Sequence, residues 1–185
     1  KPQKGAVLYD GRDIETLDVA SLRRNIGTVL QDGKLFTGDI FSNIVVAAPW
    51  LTMEDAWEAA ELAGIADDIR AMPMGMNTMV SEGAGGISGG QRQRILIARA
   101  VAPKPKVLFF DEATSALDNV TQRQVSEALD RLKCTRIIVA HRLSTTRASD
   151  RFIVLAAGRG VADCPDGETC ALGGGFSAQV RRHTL

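Results

Sequence analysis

The stretch ISGGQRQRILIARAVAPKPKVLFFDEATSALD, residues 87–118, decides the fold of this chain. Its first half predicts a helix from Gln91 to Val101, because apolar residues recur there at helical spacing and Ser88 is a good N-cap. Gly89 and Gly90 leave backbone N–H groups uncovered at the start of this helix. Free N–H groups at the positive end of a helix dipole favour an anion such as phosphate. The pattern therefore indicates either a phosphate contact or an ordinary capped helix.

The second half of the stretch ends a predicted strand with two acids. Residues 107–110 form an unbroken apolar run, which is typical of a buried parallel strand. Asp111 and Glu112 follow at its carboxyl end, where ligands gather in open α/β sheets. Adjacent carboxylates at such a place need a cation or exposure to water. Asp111 is therefore a candidate Mg²⁺ ligand, and Glu112 is a candidate general base for water.

The order and spacing of these segments resemble the ATP-binding domain of ABC transporters. SGGQ at residues 88–91 corresponds to the signature motif, VLFFDE at residues 107–112 to the Walker B strand, and SALD at residues 115–118 to the D-loop. The resemblance implies an ATP site shared between two copies of the domain, with ATP and Mg²⁺ as its ligands. The residues it assigns are Glu112 and His141 to catalysis, Asp111 and Gln31 to Mg²⁺, and Gln31, Ser88, Gly89, Gly90, Gln91 and Asp118 to ATP.

Two of these residues acquire a role only through the resemblance. Gln31 follows a predicted strand, residues 26–30, and matches the Q-loop glutamine whose amide reaches Mg²⁺ and the attacking water. His141 follows a predicted β-branched strand, residues 135–140, and matches the switch histidine that contacts the γ-phosphate. Taken alone, a glutamine or histidine after a strand is an ordinary polar terminus. Their positions relative to the signature motif give them significance.

The predicted fold class is α/β, a P-loop NTPase-like core with a mostly parallel sheet. One domain of 185 residues is expected, with its core in residues 1–31 and 104–185 and the sheet strands within residues 1–31 and 104–159. An all-helical subdomain, residues 32–103, is expected between them. Its strongest helix is Thr52–Leu62, capped by Thr52 with Asp55 at the third helical position.

The composition excludes several other classes of protein. Lysine plus arginine equals aspartate plus glutamate at 22 each, so the chain has no basic footprint for nucleic acid. No apolar run approaches the ~20 residues that a membrane helix needs. The three scattered cysteines argue against a disulfide framework. These features predict a reduced, cytosolic domain.

The sequence contains no G-x-x-x-x-G-K-[ST] motif, the P-loop that wraps the phosphates of ATP. The resemblance places that motif shortly before Lys1, so we interpret the chain as an N-terminally truncated nucleotide-binding domain. The full-length parent is then expected to be an ATPase, whereas the 185 residues alone are expected to be inactive.

Within the ABC family, the chain is most similar to bacterial exporters of bacteriocin-like peptides. Residues 51–83 and 113–132 carry this similarity, which extends over residues 5–159. It implies a homodimer with a second such domain, contact with transmembrane domains, an exported peptide and a place at the cytoplasmic face of the bacterial inner membrane. Two alternatives stay open: a soluble ABC-type ATPase acting on DNA or ribosomes, and a non-catalytic fragment that supplies only the signature surface.

Overall fold

The computed structural model describes residues 2–80, 86–111, 117–139 and 149–165. The chain divides into a first unit, residues 1–139, and a second unit, residues 140–185. The strands are β1 (Leu8–Tyr9), β2 (Arg12–Asp13), β3 (Ile26–Val29), β4 (Gly38–Asp39), β5 (Met79–Val80), β6 (Val107–Asp111), β7 (Thr135–Val139), β8 (Phe152–Ala156) and β9 (Arg159–Cys164), and the helices are α1 (Val19–Arg24), α2 (Ile40–Val45), α3 (Met53–Leu62), α4 (Ala66–Ala71), α5 (Gly89–Val101) and α6 (Asn119–Asp130).

The first unit contains a three-stranded parallel sheet in the order β3-β6-β7. The prediction that residues 26–30 and 107–110 share one parallel sheet is thus confirmed. The expectation that β6 is buried throughout is wrong: Leu108 and Phe110 are buried, but Phe109 between them is 38% exposed. Successive side chains of a strand point to opposite faces. Within the described part of the chain, therefore, only one face of β3 and β6 is well covered.

Helix α5 packs very closely against that covered face. A Cβ atom added to Gly27 on β3 would lie 2.6 Å from a methyl carbon of Leu108, and closer still to the carbonyl oxygen of Ala100 on α5. Gly27 has an ordinary negative backbone φ, so the space and not the conformation requires glycine. The absence of a side chain at this position lets the strand and the helix meet.

We expect Gly27→Ala to lower the free energy of unfolding by about 2–3 kcal/mol, because overpacking against a backbone atom cannot be relieved by a rotamer change. Gly160→Ala is the matched control, since Gly160 also lies in a strand and a Cβ there meets nothing within 4 Å. Urea unfolding of both variants measures the difference. Equal midpoints for the two variants would contradict the close packing of β3 on α5.

The insert between β3 and β6 is mostly helical, as predicted, and contains α2 to α5. The expectation that it is all-helical is wrong in one respect: β4 and β5 pair antiparallel, with Gly38 opposite Val80 and Asp39 opposite Met79. This ladder joins the chain entering α2 to the segment that follows α4, and it satisfies backbone groups there. The predicted cap of α3 is confirmed, since the Thr52 and Asp55 side chains form a capping box.

The N-terminal hairpin lies outside the parallel sheet in which its strands were expected. β1 and β2 pair antiparallel around Asp10 and Gly11, which both have positive φ (49° and 75°). That conformation suits a tight hairpin turn and explains the Asp-Gly sequence. The two strands form a sheet of their own, so of the residues before 32 only β3 joins the parallel sheet.

The second unit is described as one antiparallel hairpin, β8 with β9. The expectation of a parallel sheet continuing to residue 159 is therefore wrong for this hairpin. Arg151 clamps it by donating two hydrogen bonds, of 2.8 and 2.6 Å, to the carboxylate of Asp163. Cys164 in β9 is disulfide-bonded, so the expectation of a reduced domain is wrong for this cysteine, whereas Cys134 in the first unit is free. Across the described ranges, no helix has the length and apolarity needed to cross a membrane.

Candidate functional site

The start of α5 is a reciprocal cap with an open surface. The Ser88 hydroxyl accepts a hydrogen bond from the Gln91 N–H at 3.1 Å, and the Gln91 side-chain oxygen accepts one from the Ser88 N–H at 3.0 Å. The predicted N-cap is thereby confirmed. A Cβ added to Gly89 would meet nothing within 4 Å, and Ser88 and Gly89 are exposed. An anion can therefore approach this helix start without displacing a side chain.

A second layer of contacts ties this helix start to α4. The Gln91 side-chain nitrogen donates to Asp68 at 2.8 Å, and Arg94 pairs with the other oxygen of the same carboxylate at 2.8 Å. Burial alone would raise the pKa of Asp68, but the hydrogen bonds from Gln91 and Arg94 and the charge of Arg94 outweigh it, so this pKa lies below its usual value. Asp68 is therefore charged at neutral pH. Sequence reasoning missed Asp68.

The carboxyl ends of β3 and β6 place two predicted residues at one edge of the sheet. Val29 pairs with Phe110 in parallel register, so Asp111, the last residue of β6, and Gln31, two residues after Val29, lie at the same end of the sheet. Gln31 is exposed and Asp111 is half-buried. This edge therefore presents an amide and a carboxylate to solvent, on strands that are adjacent in space and far apart in sequence.

Glu112 and His141, the two residues predicted to act in catalysis beside Gln31 and Asp111, lie outside the described residues. Glu112 directly follows Asp111 in the sequence, and His141 comes two residues after Val139, which pairs with Asp111. The predicted convergence of all four residues on one cleft therefore stays a prediction.

Asp118 caps the next helix, α6. Its carboxylate accepts hydrogen bonds from the N–H groups of Val120 and Thr121 at 3.0 Å and from the Thr121 hydroxyl at 2.7 Å. Hydrogen bonds from Thr121 are the main reason why the pKa of Asp118 lies below its usual value. The side chain is exposed, but its oxygens already serve the helix. An ATP contact by Asp118 would be made in addition to this capping role.

The loop that follows Gln31 is fastened to α5 and α2. A Cβ on Gly33 would lie 2.8 Å from Leu96 of α5, so the backbone passes directly over that side chain. Arg99, on the same helix, donates to the carbonyl oxygen of Lys34 at 3.1 Å. The Gln31 loop and α5, which carries the Ser88 cap, are thus in direct contact.

Asn43 and Arg99 form the polar centre of this junction. Asn43 is 1% exposed, and its side chain accepts from the Phe36 N–H at 2.8 Å and donates to the carbonyl oxygens of Phe36 and Asp39, both at 2.9 Å. Arg99 donates to the backbone and side-chain oxygens of Asn43, both at 2.7 Å, and lies 5.0 Å from the centre of the Phe36 ring. Burial lowers the pKa of Arg99. One signal in the sequence was available: each residue interrupts an apolar helix, at IFSNIV and ILIARAV.

The donors at the sheet edge fit Mg²⁺ in type and number. Mg²⁺ in phosphate-transfer sites usually keeps several waters and takes one or two protein oxygens besides the phosphates of its substrate. Asp111 and Gln31 would supply those oxygens. In the described part of the chain no group of three or more His, Cys, Asp or Glu side chains could hold a metal, so a complete protein-made metal cage is not found there.

Comparison with known proteins decides the family. The family model described as "ABC transporter" matches residues 1–115. The chain belongs to the ABC transporter family. This ABC domain is also similar in structure to a bacterial Atm1-family ABC exporter with ATP bound, with a TM-score of 0.91 and 35% identity, covering 100% of this chain and 33% of that one. The predicted fold class is thereby confirmed, and the similarity is to an exporter.

Curated relatives of this ABC domain include two secretion proteins. It is 45% identical over 182 residues to the cyclolysin secretion/processing ATP-binding protein CyaB of Bordetella pertussis, covering 96% of this chain and 25% of that protein. It is 48% identical over 159 residues to the alpha-hemolysin translocation ATP-binding protein HlyB of Escherichia coli O157:H7, covering 85% of this chain and 22% of that protein. The chain thus spans about a quarter of the length of these relatives.

Proposed function

We propose that this chain is the ATP-binding and ATP-hydrolysing part of a membrane exporter for polypeptides. The observation that carries the proposal is the parallel register of β3 with β6, which brings Gln31 and Asp111 to one sheet edge. Edges of this kind are where open α/β sheets bind their ligands. The open, capped start of α5 supplies a second surface suited to phosphate.

In this proposal two copies of the domain share each ATP. Asp111 and Gln31 of one copy would hold Mg²⁺, which would supply positive charge close to the phosphates of ATP. Glu112 accepts a proton from the attacking water or orients it, and His141 contacts the γ-phosphate. The second copy presents Ser88, Gly89, Gly90 and Gln91 from the opposite side, so that ATP is enclosed only when the two copies close.

The exporter's remaining parts are also proposals. Transmembrane domains at the cytoplasmic face of the bacterial inner membrane would contact the helical insert and turn closure of the two copies into transport. Phe36, Trp50 and Met74 on or near this insert are each about 60% exposed, so each is accessible to a partner protein. The substrate we favour is a bacteriocin-like peptide. Both relatives are named for secretion or translocation of toxins, so a large protein toxin is the other outcome to test.

The test is transport by the full-length exporter in inside-out membrane vesicles, with a short bacteriocin-like peptide and a large toxin-like protein offered in parallel. ATP-dependent uptake of either one supports a polypeptide exporter and decides whether its substrate is a short peptide or a large protein. Omission of Mg²⁺ should stop uptake, because the hydrolysis that drives it needs the metal. ATP hydrolysis stimulated by DNA or ribosomes, without uptake of either polypeptide, would overturn the proposal.

A further inference from the structure

The side-chain amide of Gln91 is held from both of its ends. Its oxygen accepts from the Ser88 N–H at 3.0 Å, and its nitrogen donates to the Asp68 carboxylate at 2.8 Å. The first bond belongs to the reciprocal cap, and the second crosses to another helix, α4. The orientation of the amide therefore depends on Asp68 as well as on Ser88.

Asp68 is itself fixed in place. Arg94 pairs with it at 2.8 Å, and the two side chains are only 30% and 15% exposed. Arg94 also donates to the carbonyl oxygen of Gly64, at the turn between α3 and α4. Side chains in a shielded ion pair with several hydrogen bonds lose little further freedom when they hold a third group. Asp68 is therefore a rigid acceptor for the Gln91 amide.

We propose that Asp68 is a positioning residue for the phosphate contact at Ser88–Gly90 and acts through the Gln91 amide. This inference rests on the proposed function, in which that contact reaches ATP held by the second copy. Two glycines leave the first turn of α5 with high conformational freedom. Without Asp68, the side-chain nitrogen of Gln91 loses its hydrogen-bond acceptor on α4. The bond from the Ser88 N–H to the Gln91 side-chain oxygen then breaks more often, and the first turn of α5 opens. In the intact protein, therefore, the main role of Gln91 is to hold the shape of the phosphate site, and its role as a ligand is secondary.

The test uses Asp68→Ala in the intact exporter, with Asp67→Ala as the matched control. Asp67 precedes Asp68 on α4, and its side chain is 97% exposed and pairs only at the surface, with Arg70. Asp68→Asn is a milder second variant, to be used if Asp68→Ala fails to fold. Asparagine keeps the shape of the side chain and one acceptor oxygen. Rates are expressed per nucleotide-binding site, so that unfolded protein does not lower them.

Because the second copy's contact forms only when ATP is enclosed, its loss should appear in kcat and leave the KM for ATP unchanged. We expect Asp68→Ala to lower kcat about tenfold, a size typical of slightly misplaced contacts. Asp68→Asn should lower it less, and Asp67→Ala not at all. In a Gln91→Ala background, Asp68→Ala should add nothing, as for two residues acting on one contact.

Hydrogen exchange gives a readout that is independent of catalysis. Amides in peptides covering residues 86–94 should exchange about fivefold faster in Asp68→Ala than in Asp67→Ala, because the cap opens more often. If Asp68→Ala and Asp67→Ala behave alike in both assays while Ser88→Ala still lowers kcat, the positioning role is overturned and the proposed function stands. If Ser88→Ala also leaves kcat unchanged, the phosphate contact itself is wrong.

Discussion

Glu112→Gln is expected to lower steady-state ATP hydrolysis by the full-length exporter about 10²–10⁴-fold, the usual loss when a general base is removed. Glutamine keeps the size of the side chain but cannot accept a proton. Asp111, the residue before it, ends the central strand of the parallel sheet and stands beside the strand that leads to Gln31. Glu112 follows this proposed Mg²⁺ ligand directly in the sequence.

ATP binding by this variant should stay nearly intact, because the amide removes no phosphate contact. Equilibrium binding of Mg-ATP and steady-state hydrolysis, measured on the same preparation, separate the two effects. Glu127→Gln is the control with the same chemical change, since Glu127 is an exposed residue of α6. Normal hydrolysis in Glu112→Gln would remove Glu112 from the role of base.

Asn43→Leu is expected to lower the free energy of unfolding by about 3–5 kcal/mol. Leucine has a similar volume, but it leaves the N–H and carbonyl groups of Phe36, the carbonyl of Asp39 and the Arg99 guanidinium without the bonds that Asn43 provides. Each buried polar group that loses its partner costs about 1–3 kcal/mol. The total is above the usual range for single substitutions and would be diagnostic of this network.

Urea unfolding measures this effect, with Asn77→Leu as the control. Asn77 is exposed in the turn before β5, and surface substitutions there should stay within about 0.5 kcal/mol. A small effect in Asn43→Leu would show that water or a rearranged loop replaces the lost bonds. The junction between the Gln31 loop and α5 would then be much weaker than the contacts indicate.

Local rules in the sequence were enough for most of the fold. Thr52 with Asp55 encodes a helix cap within four residues, and this cap was predicted correctly. The parallel pairing of β3 with β6 followed from two apolar strands and the family resemblance. These features depend on neighbours in the chain or on motifs of fixed spacing.

The rest depended on contacts that the sequence does not show. Arg99 contacts Asn43 across 56 positions of the sequence, and Asp68 contacts Gln91 across 23. Short sequence patterns therefore contain neither pair. The burial of Phe109 depends on what covers the second face of the sheet, which apolarity alone cannot reveal. Gln91 looked like a nucleotide contact because of its motif, and only the structure shows its amide bound to α4.

The pairing of β3 with β6 also bears on the order of folding. Its two strands lie roughly eighty residues apart in sequence, whereas the capped helices of the insert form from near neighbours. Closing so long a loop costs more chain entropy than forming local helices, so such contacts form slowly and late. On the ribosome, Gln31 emerges well before its partner strand has been synthesised. The sheet edge proposed to hold Mg²⁺ is therefore among the last parts of this unit to be completed.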